Sequence, residues 1–158
     1  VTDVHIIGID PGLNCTGLAW NNPEGDPVVT FVRPLQRGIR DKAREVMREI
    51  PDLCFDLLVI EVPQVYQGRR QKGDPNDLVR LALLAGNLEA LVSTYNVMEV
   101  LPSTWKGQVP KPLHHTRLRQ RTGFVAQVPH DAMDALGLLL YGEDVLAAQL
   151  LARRNSKR

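Results

Sequence analysis

An α/β fold is what this sequence predicts, and three observations carry the prediction. Short apolar segments over residues 4–10, 16–21 and 27–33 are separated by turn residues, the signature of three antiparallel strands. The run Leu57-Leu58-Val59-Ile60 is continuously apolar, which suits a strand covered on both faces in a parallel arrangement. Segments of helical period then alternate with one further short strand.

Each element has its own warrant. In the first strand Ile6, Ile7 and Ile9 are β-branched, and Pro11-Gly12 turns the chain directly after Asp10. Thr16 to Trp20 returns as the second strand, and the reversal Asn21-Asn22-Pro23-Glu24-Gly25-Asp26-Pro27 leads into the third. Residues 39–50 place Ile39, Ala43, Val46, Met47 and Ile50 at helical spacing before Pro51 ends the helix. The fourth strand closes on Glu61, and residues 63–73 are polar, basic and loop-like. Asp74-Pro75 has the form of an N-cap followed by proline at the first helical position. The helix over 76–93 is apolar around much of its circumference, which predicts a core position or a shared face with a second copy. Val97 to Leu101 is the fifth strand, followed by a basic helix from Leu113 to Arg121. A helix from Asp131 to Tyr141 and a further short one reaching Arg154 complete the set.

The 158 residues suit one domain, 1–158, with residues 150–158 a basic tail that either frays or touches a polyanion nonspecifically. No secretory pattern opens the sequence, and no apolar run reads as the roughly 20 residues of a membrane span, so a cytoplasmic protein is expected. Cys15 and Cys54 sit among apolar neighbours and are expected to be buried free thiols. No Cys/His cluster has zinc spacing. Net charge is only +1, but it is segregated: from Pro102 to His130 there are five cations, three histidines and no acid.

Four carboxylates stand out. Asp10 and Glu61 each close an apolar strand, and Asp131 and Asp134 lie at i, i+3 on one helix face. Each has an ordinary reading: a turn cap, a solvated strand end, or an N-terminal helix acid favoured by the dipole. The combination says more. If the first and fourth strands are neighbours, Asp10 and Glu61 lie side by side. Two carboxylates about 4 Å apart repel by about 4 kcal/mol at an effective dielectric near 20. Such a pair takes up a proton or recruits a cation, and all-oxygen ligands suit Mg²⁺ or Mn²⁺. Acid clusters of this kind are the machinery of phosphodiester hydrolysis.

At this point the motifs together resemble the RuvC-type Holliday junction resolvases of the RNase H-like nuclease superfamily. The matching stretches are Ile7-Gly8-Ile9-Asp10-Pro11-Gly12 with Thr16-Gly17, Val59-Ile60-Glu61, and Asp131-Ala132-Met133-Asp134-Ala135-Leu136. They span nearly the whole sequence. The resemblance implies an RNase H-like fold, a five-stranded mixed sheet flanked by helices with the first three strands antiparallel. It also implies a homodimer that resolves four-way DNA junctions by paired nicks leaving 5′-phosphate and 3′-hydroxyl ends. Asp10, Glu61, Asp131 and Asp134 match the catalytic, metal-binding positions, and two Mg²⁺ ions are implied, with Mn²⁺ able to substitute. Some members carry histidine at the third position; here His130 precedes Asp131 and is a candidate for proton transfer. Bacterial members place an aromatic wedge three residues after the glutamate, where this sequence has Gln64, and Tyr66 stands two residues later. Pro102-Ser103-Thr104-Trp105-Lys106 fits the more divergent phage forms, so a bacterial cell or phage-infected host is the expected setting.

DNA contacts are expected from three places. Tyr66 is a candidate for stacking on an unpaired base, and Arg69, Arg70 and Lys72 would reach phosphates beside it. Lys106, Lys111, His114, His115, Arg117, Arg119 and Arg121 form the stronger basic candidate, next in sequence to the acidic pair. The dimer is expected on the apolar helix through Leu78, Leu81, Ala85 and Leu88. Rival functions are an RNase H-like nuclease on other branched DNA or RNA–DNA hybrids, and a non-cutting junction-binding module. The segment from Asp10 to Gly17 also fits the phosphate loop of actin-type kinases, Asp-x-Gly-x-x-x-Thr-Gly, but no second such loop is present, so no nucleotide cofactor is expected.

Overall fold

The structure, a computed structural model, describes residues 4–65, 74–107 and 109–156. Five strands, β1 (Ile6–Asp10), β2 (Thr16–Asn21), β3 (Pro27–Val32), β4 (Leu57–Glu61) and β5 (Val97–Val100), form one sheet in the order β3-β2-β1-β4-β5. β1, β2 and β3 are antiparallel neighbours, whereas β4 runs parallel to both β1 and β5. The helices are α1 (Ile39–Met47), α2 (Pro75–Leu91), α3 (Pro102–Trp105), α4 (Lys111–Thr122) and α5 (His130–Asn155). The mixed five-stranded sheet flanked by helices is the expected fold class.

Strand periodicity divides the core in two. Ile7 and Ile9 of β1 and Leu58 and Ile60 of β4 pack with Ala43 and Val46 of α1 and Leu84 and Leu88 of α2. Ile6 of β1 and Leu57 and Val59 of β4 pack instead with Met133, Leu136 and Leu139 of α5. Successive side chains alternate faces, so Asp10 and Glu61, at even steps from Ile6 and Val59, belong to the face that α5 covers. The register pairs Ile9 with Ile60, which sets Asp10 and Glu61 side by side at the next step.

Two glycines let α5 lie unusually near this face. A methyl group on Gly8 would collide with the backbone of Ala135 and Leu139, and one on Gly17 with the backbone of Asp131 and Ala132. Both positions therefore need glycine, and both lie beside the site. Gly8→Ala is expected to push α5 off the sheet and destabilise the fold by about 1–3 kcal/mol, measured as a lower urea midpoint.

Several sequence expectations are corrected. The last two helices are one 26-residue helix, α5. The helix runs on through Gly142, where a side chain would strike Val59, so the glycine lets helix and sheet meet at that point. As a single element α5 is long and apolar enough to cross a membrane, contrary to the expectation that no segment is. Its stretch from Ala132 to Leu140 is instead buried against the sheet. α3 was not foreseen, being a single turn opened by Pro102.

Neither cysteine is buried as expected: Cys15 is half-buried and Cys54 exposed. Burial and the neighbouring Asp131 carboxylate push the Cys15 thiol up to about 11, so it stays protonated at neutral pH. Iodoacetamide at pH 8 is expected to label Cys54 at least about tenfold faster than Cys15, as read by peptide mass spectrometry.

On α2, Ala85 and Leu88 are core residues of the chain itself, so they are unavailable to a partner. Leu78 and Leu81 are half-buried. The outward apolar face is carried by Val79 and Leu83, 61% and 54% exposed, with Ala82, Gly86 and Ala90 between and beyond them.

Candidate active site

The four carboxylates come to one end of the sheet in two pairs, each pair for its own reason. Asp10 and Glu61 terminate adjacent parallel strands, while Asp131 and Asp134 sit in the first two turns of α5, where Gly17 seats the helix on β2. Asp10 and Asp134 are almost entirely shielded, 7% and 1% exposed. Asp131 is not an N-cap: Pro129 holds that position, and no side chain caps the helix.

A lysine stands among these acids. The Lys106 ammonium lies 2.8 Å from Glu61 Oε2 and 2.8 Å from Asp134 Oδ2. Trp105 Nε1 donates to the same Glu61 oxygen at 2.8 Å. His115 Nε2 is 2.9 Å from the other oxygen of Asp134, and Lys111 lies 3.7 Å from Oδ2. Trp105 itself is placed by Gly137, since a methyl there would overlap its ring, and by an edge contact with His114 at 5.1 Å between centroids.

The electrostatics divide the cluster. Burial, then the charges of Glu61, Asp134 and Asp131, hold the Asp10 carboxyl well above the usual carboxylate range against the opposing pull of Lys106. Burial also pushes Asp134 up, but Lys106, His115 and Lys111 together outweigh it, leaving this carboxyl below its ordinary value. The Lys106 ammonium is likewise disfavoured by burial and restored by Glu61, Asp10 and Asp134, so its pKa ends above the ordinary one. Burial lowers His114. Among the described residues, no three Asp, Glu, His or Cys side chains converge closely enough to cage a metal ion. The acids are gathered, but Lys106 occupies the gap between two of them.

No protein-family model and no curated protein matches the sequence. Solved structures do. A Thermus thermophilus RuvC in complex with a Holliday junction substrate superposes with a TM-score of 0.59 at 18% identity, covering 87% of this chain and 90% of that one. A second Thermus thermophilus RuvC structure gives 0.55 at 17% identity, covering 87% and 92%. The fold is RuvC-like. At this identity the likeness concerns the arrangement of elements, and the side chains must be read from this chain alone.

On this RuvC-like scaffold the expected DNA contacts separate into groups. Tyr66, Arg69, Arg70 and Lys72 lie outside the described residues. Lys106, expected to face phosphate, is turned into the acidic cluster. His115, also expected at DNA, is buried on Asp134, and His114 is half-buried against Trp105. Arg119 donates to the carbonyls of Phe124 and Ala126, and Arg121 forms a two-pronged pair with Asp144 at 2.7 and 2.8 Å. Lys111 and Arg117 remain exposed on α4. His130, the first residue of α5, is exposed, with its ring centroid 5.3 Å from that of His115. Sequence reasoning missed Trp105 as a partner of Glu61 and His115 as a partner of Asp134. Trp105 left a trace only in the Pro102–Lys106 segment, whose single helical turn has no periodicity to read, and His115 was assigned to DNA with the rest of the basic helix.

Proposed function

We propose that this protein is a divalent-metal-dependent endodeoxyribonuclease that resolves four-way DNA junctions. It acts as a homodimer, one site per copy, by paired symmetric hydrolysis giving 5′-phosphate and 3′-hydroxyl ends. The observation carrying this reading is the meeting of Asp10, Glu61, Asp131 and Asp134 at one end of a RuvC-like sheet. A nuclease of this kind, spanning 1–158 as one domain and working in the cytoplasm of a bacterial or phage-infected cell, accounts for the acids and the flanking cations together.

The donor set fits hard cations. All four candidate ligands are carboxylates, and the ammonium between Glu61 and Asp134 marks a position where the site's field already holds positive charge. Asp10, Glu61, Asp131 and Asp134 would hold the ions, two Mg²⁺ with Mn²⁺ as a substitute. Bound there, such ions supply an activated water and stabilise charge on the leaving oxygen. The chain's own groups do the remaining work. His115 orients the Asp134 carboxylate through its 2.9 Å contact, and Trp105 orients Glu61. Lys111 and Arg117, exposed on α4, attract the DNA backbone, and the exposed His130 ring is the candidate for proton transfer. Tyr66 and the Arg69–Lys72 segment extend the DNA surface. The second copy docks on the Val79–Leu83 face of α2, which aligns two sites about a two-fold axis.

The deciding experiment incubates labelled four-way junction, replication fork, RNA–DNA hybrid and linear duplex with the protein, with and without Mg²⁺. Symmetric Mg²⁺-dependent nicks in the junction alone are expected. Cutting of fork or hybrid at equal rate would replace the reading with a broader RNase H-like nuclease. Junction binding without any cutting would replace it with a binding module.

A further inference from the structure

We infer that Lys106 is a built-in competitor for the divalent ion: in the ion-free protein its ammonium holds one cation position, between Glu61 and Asp134, and ion loading requires its release. This rests on the metal-dependent reading above and adds how the site is kept closed before loading.

The geometry is specific. Lys106 Nζ is at 2.8 Å from one oxygen of each acid, and its side chain is only 13% exposed. Glu61 Oε2 also accepts from the Trp105 N–H, and the other Asp134 oxygen is met by His115. Each Asp134 oxygen therefore already faces a protein donor, and a dication approaching Oδ2 of Asp134 or Oε2 of Glu61 meets the like charge of the Lys106 ammonium 2.8 Å from both. His115 is buried on the α4 face that packs on α5, so it is the fixed partner. Lys106 is the movable one. It follows α3 directly and precedes the exposed Gly107 (φ 59°), outside the sheet and α5, so its long side chain can swing out without disturbing either.

The arrangement also explains how so many acids are tolerated. With Glu61, Asp131 and Asp134 all within electrostatic reach of Asp10, a cluster without a cation would strongly repel itself. A single internal cation relieves that repulsion until a dication replaces it. The release is an exchange of one positively charged group for another at the same oxygens, with no bond made or broken within the chain.

The test is Mn²⁺ binding to the free protein by calorimetry and by electron paramagnetic resonance, with no DNA present. Wild type is compared with Lys106→Met, Lys106→Gln and Lys106→Arg. The neutral variants are expected to bind Mn²⁺ at least about tenfold more tightly, since the incoming dication no longer displaces a like charge, while Lys106→Arg binds no more tightly than wild type. In the absence of ions the neutral variants should melt at lower temperature, and Mn²⁺ should raise their melting temperature more than it raises that of wild type. A neutral variant that folds only when Mn²⁺ is present supports the proposal; one that stays unfolded with Mn²⁺ overturns it. Equal or weaker Mn²⁺ binding by the neutral variants overturns the competition while leaving the metal-dependent reading standing. Absence of Mn²⁺ binding in every form removes that reading, and the competition with it.

Discussion

Asp10→Asn is expected to bind four-way junctions as wild type does, to lose at least about a thousandfold in hydrolysis rate, and to melt at a higher temperature. The rate loss, about 4 kcal/mol of transition-state stabilisation, follows from removing the carboxylate at the centre of the cluster. The stability gain follows from the same group. Burial and three neighbouring acids hold the Asp10 carboxyl above its unfolded value. Between the unfolded and the folded pKa the folded state binds the extra proton, so stability falls as pH rises through that window. Asparagine removes the titration. The gain should therefore be small near pH 4 and grow towards neutrality, at about 2–4 °C in melting temperature for each kcal/mol relieved. Gel shift on a junction, single-turnover cleavage and a melting series across pH measure the three effects. A variant that nicks at near wild-type rate takes Asp10 out of the chemistry.

Leu83→Asp is expected to convert the proposed dimer to a monomer that binds a junction weakly and makes at most single, unpaired nicks. Leu83 is 54% exposed on the outward face of α2, beside Val79. In a two-fold interface the substitution appears twice, and burying each carboxylate without a partner costs on the order of 3 kcal/mol. Light scattering should give half the wild-type mass, with the circular dichroism spectrum unchanged. Leu88→Asp is the informative contrast. Leu88 packs in the core between α2 and the sheet, so aspartate there should unfold the chain rather than merely separate two copies. Unchanged mass for Leu83→Asp would move the interface elsewhere.

The contrast between Leu83 and Leu88 shows where reading the sequence stops. Periodicity placed a helix over this segment, because helix formation depends on neighbours a few residues apart. It did not tell the core face from the outward face, because α2 is apolar on both. Gly142 illustrates the same limit: a mid-helix glycine reads locally as a break, and only Val59, arriving from β4, shows that it is a contact.

The sequence by itself determined the alternation of strands and helices, the turn that follows Asp10, the strand that ends at Glu61 and the i, i+3 pair of Asp131 and Asp134. These are short-range properties, set by backbone preference and by the period with which apolar side chains recur. The tertiary structure alone decided that β1 and β4 are parallel neighbours, that Gly8 and Gly17 admit α5 to the sheet, and that Lys106, Trp105 and His115 take up the oxygens of Glu61 and Asp134. The hydrogen-bonded side chains among these lie 19, 28 and 44 positions apart, and no local pattern encodes which of several nearby cations will reach a given carboxylate. That choice depends on how closely the elements pack, and here it placed an ammonium where a phosphate contact was expected.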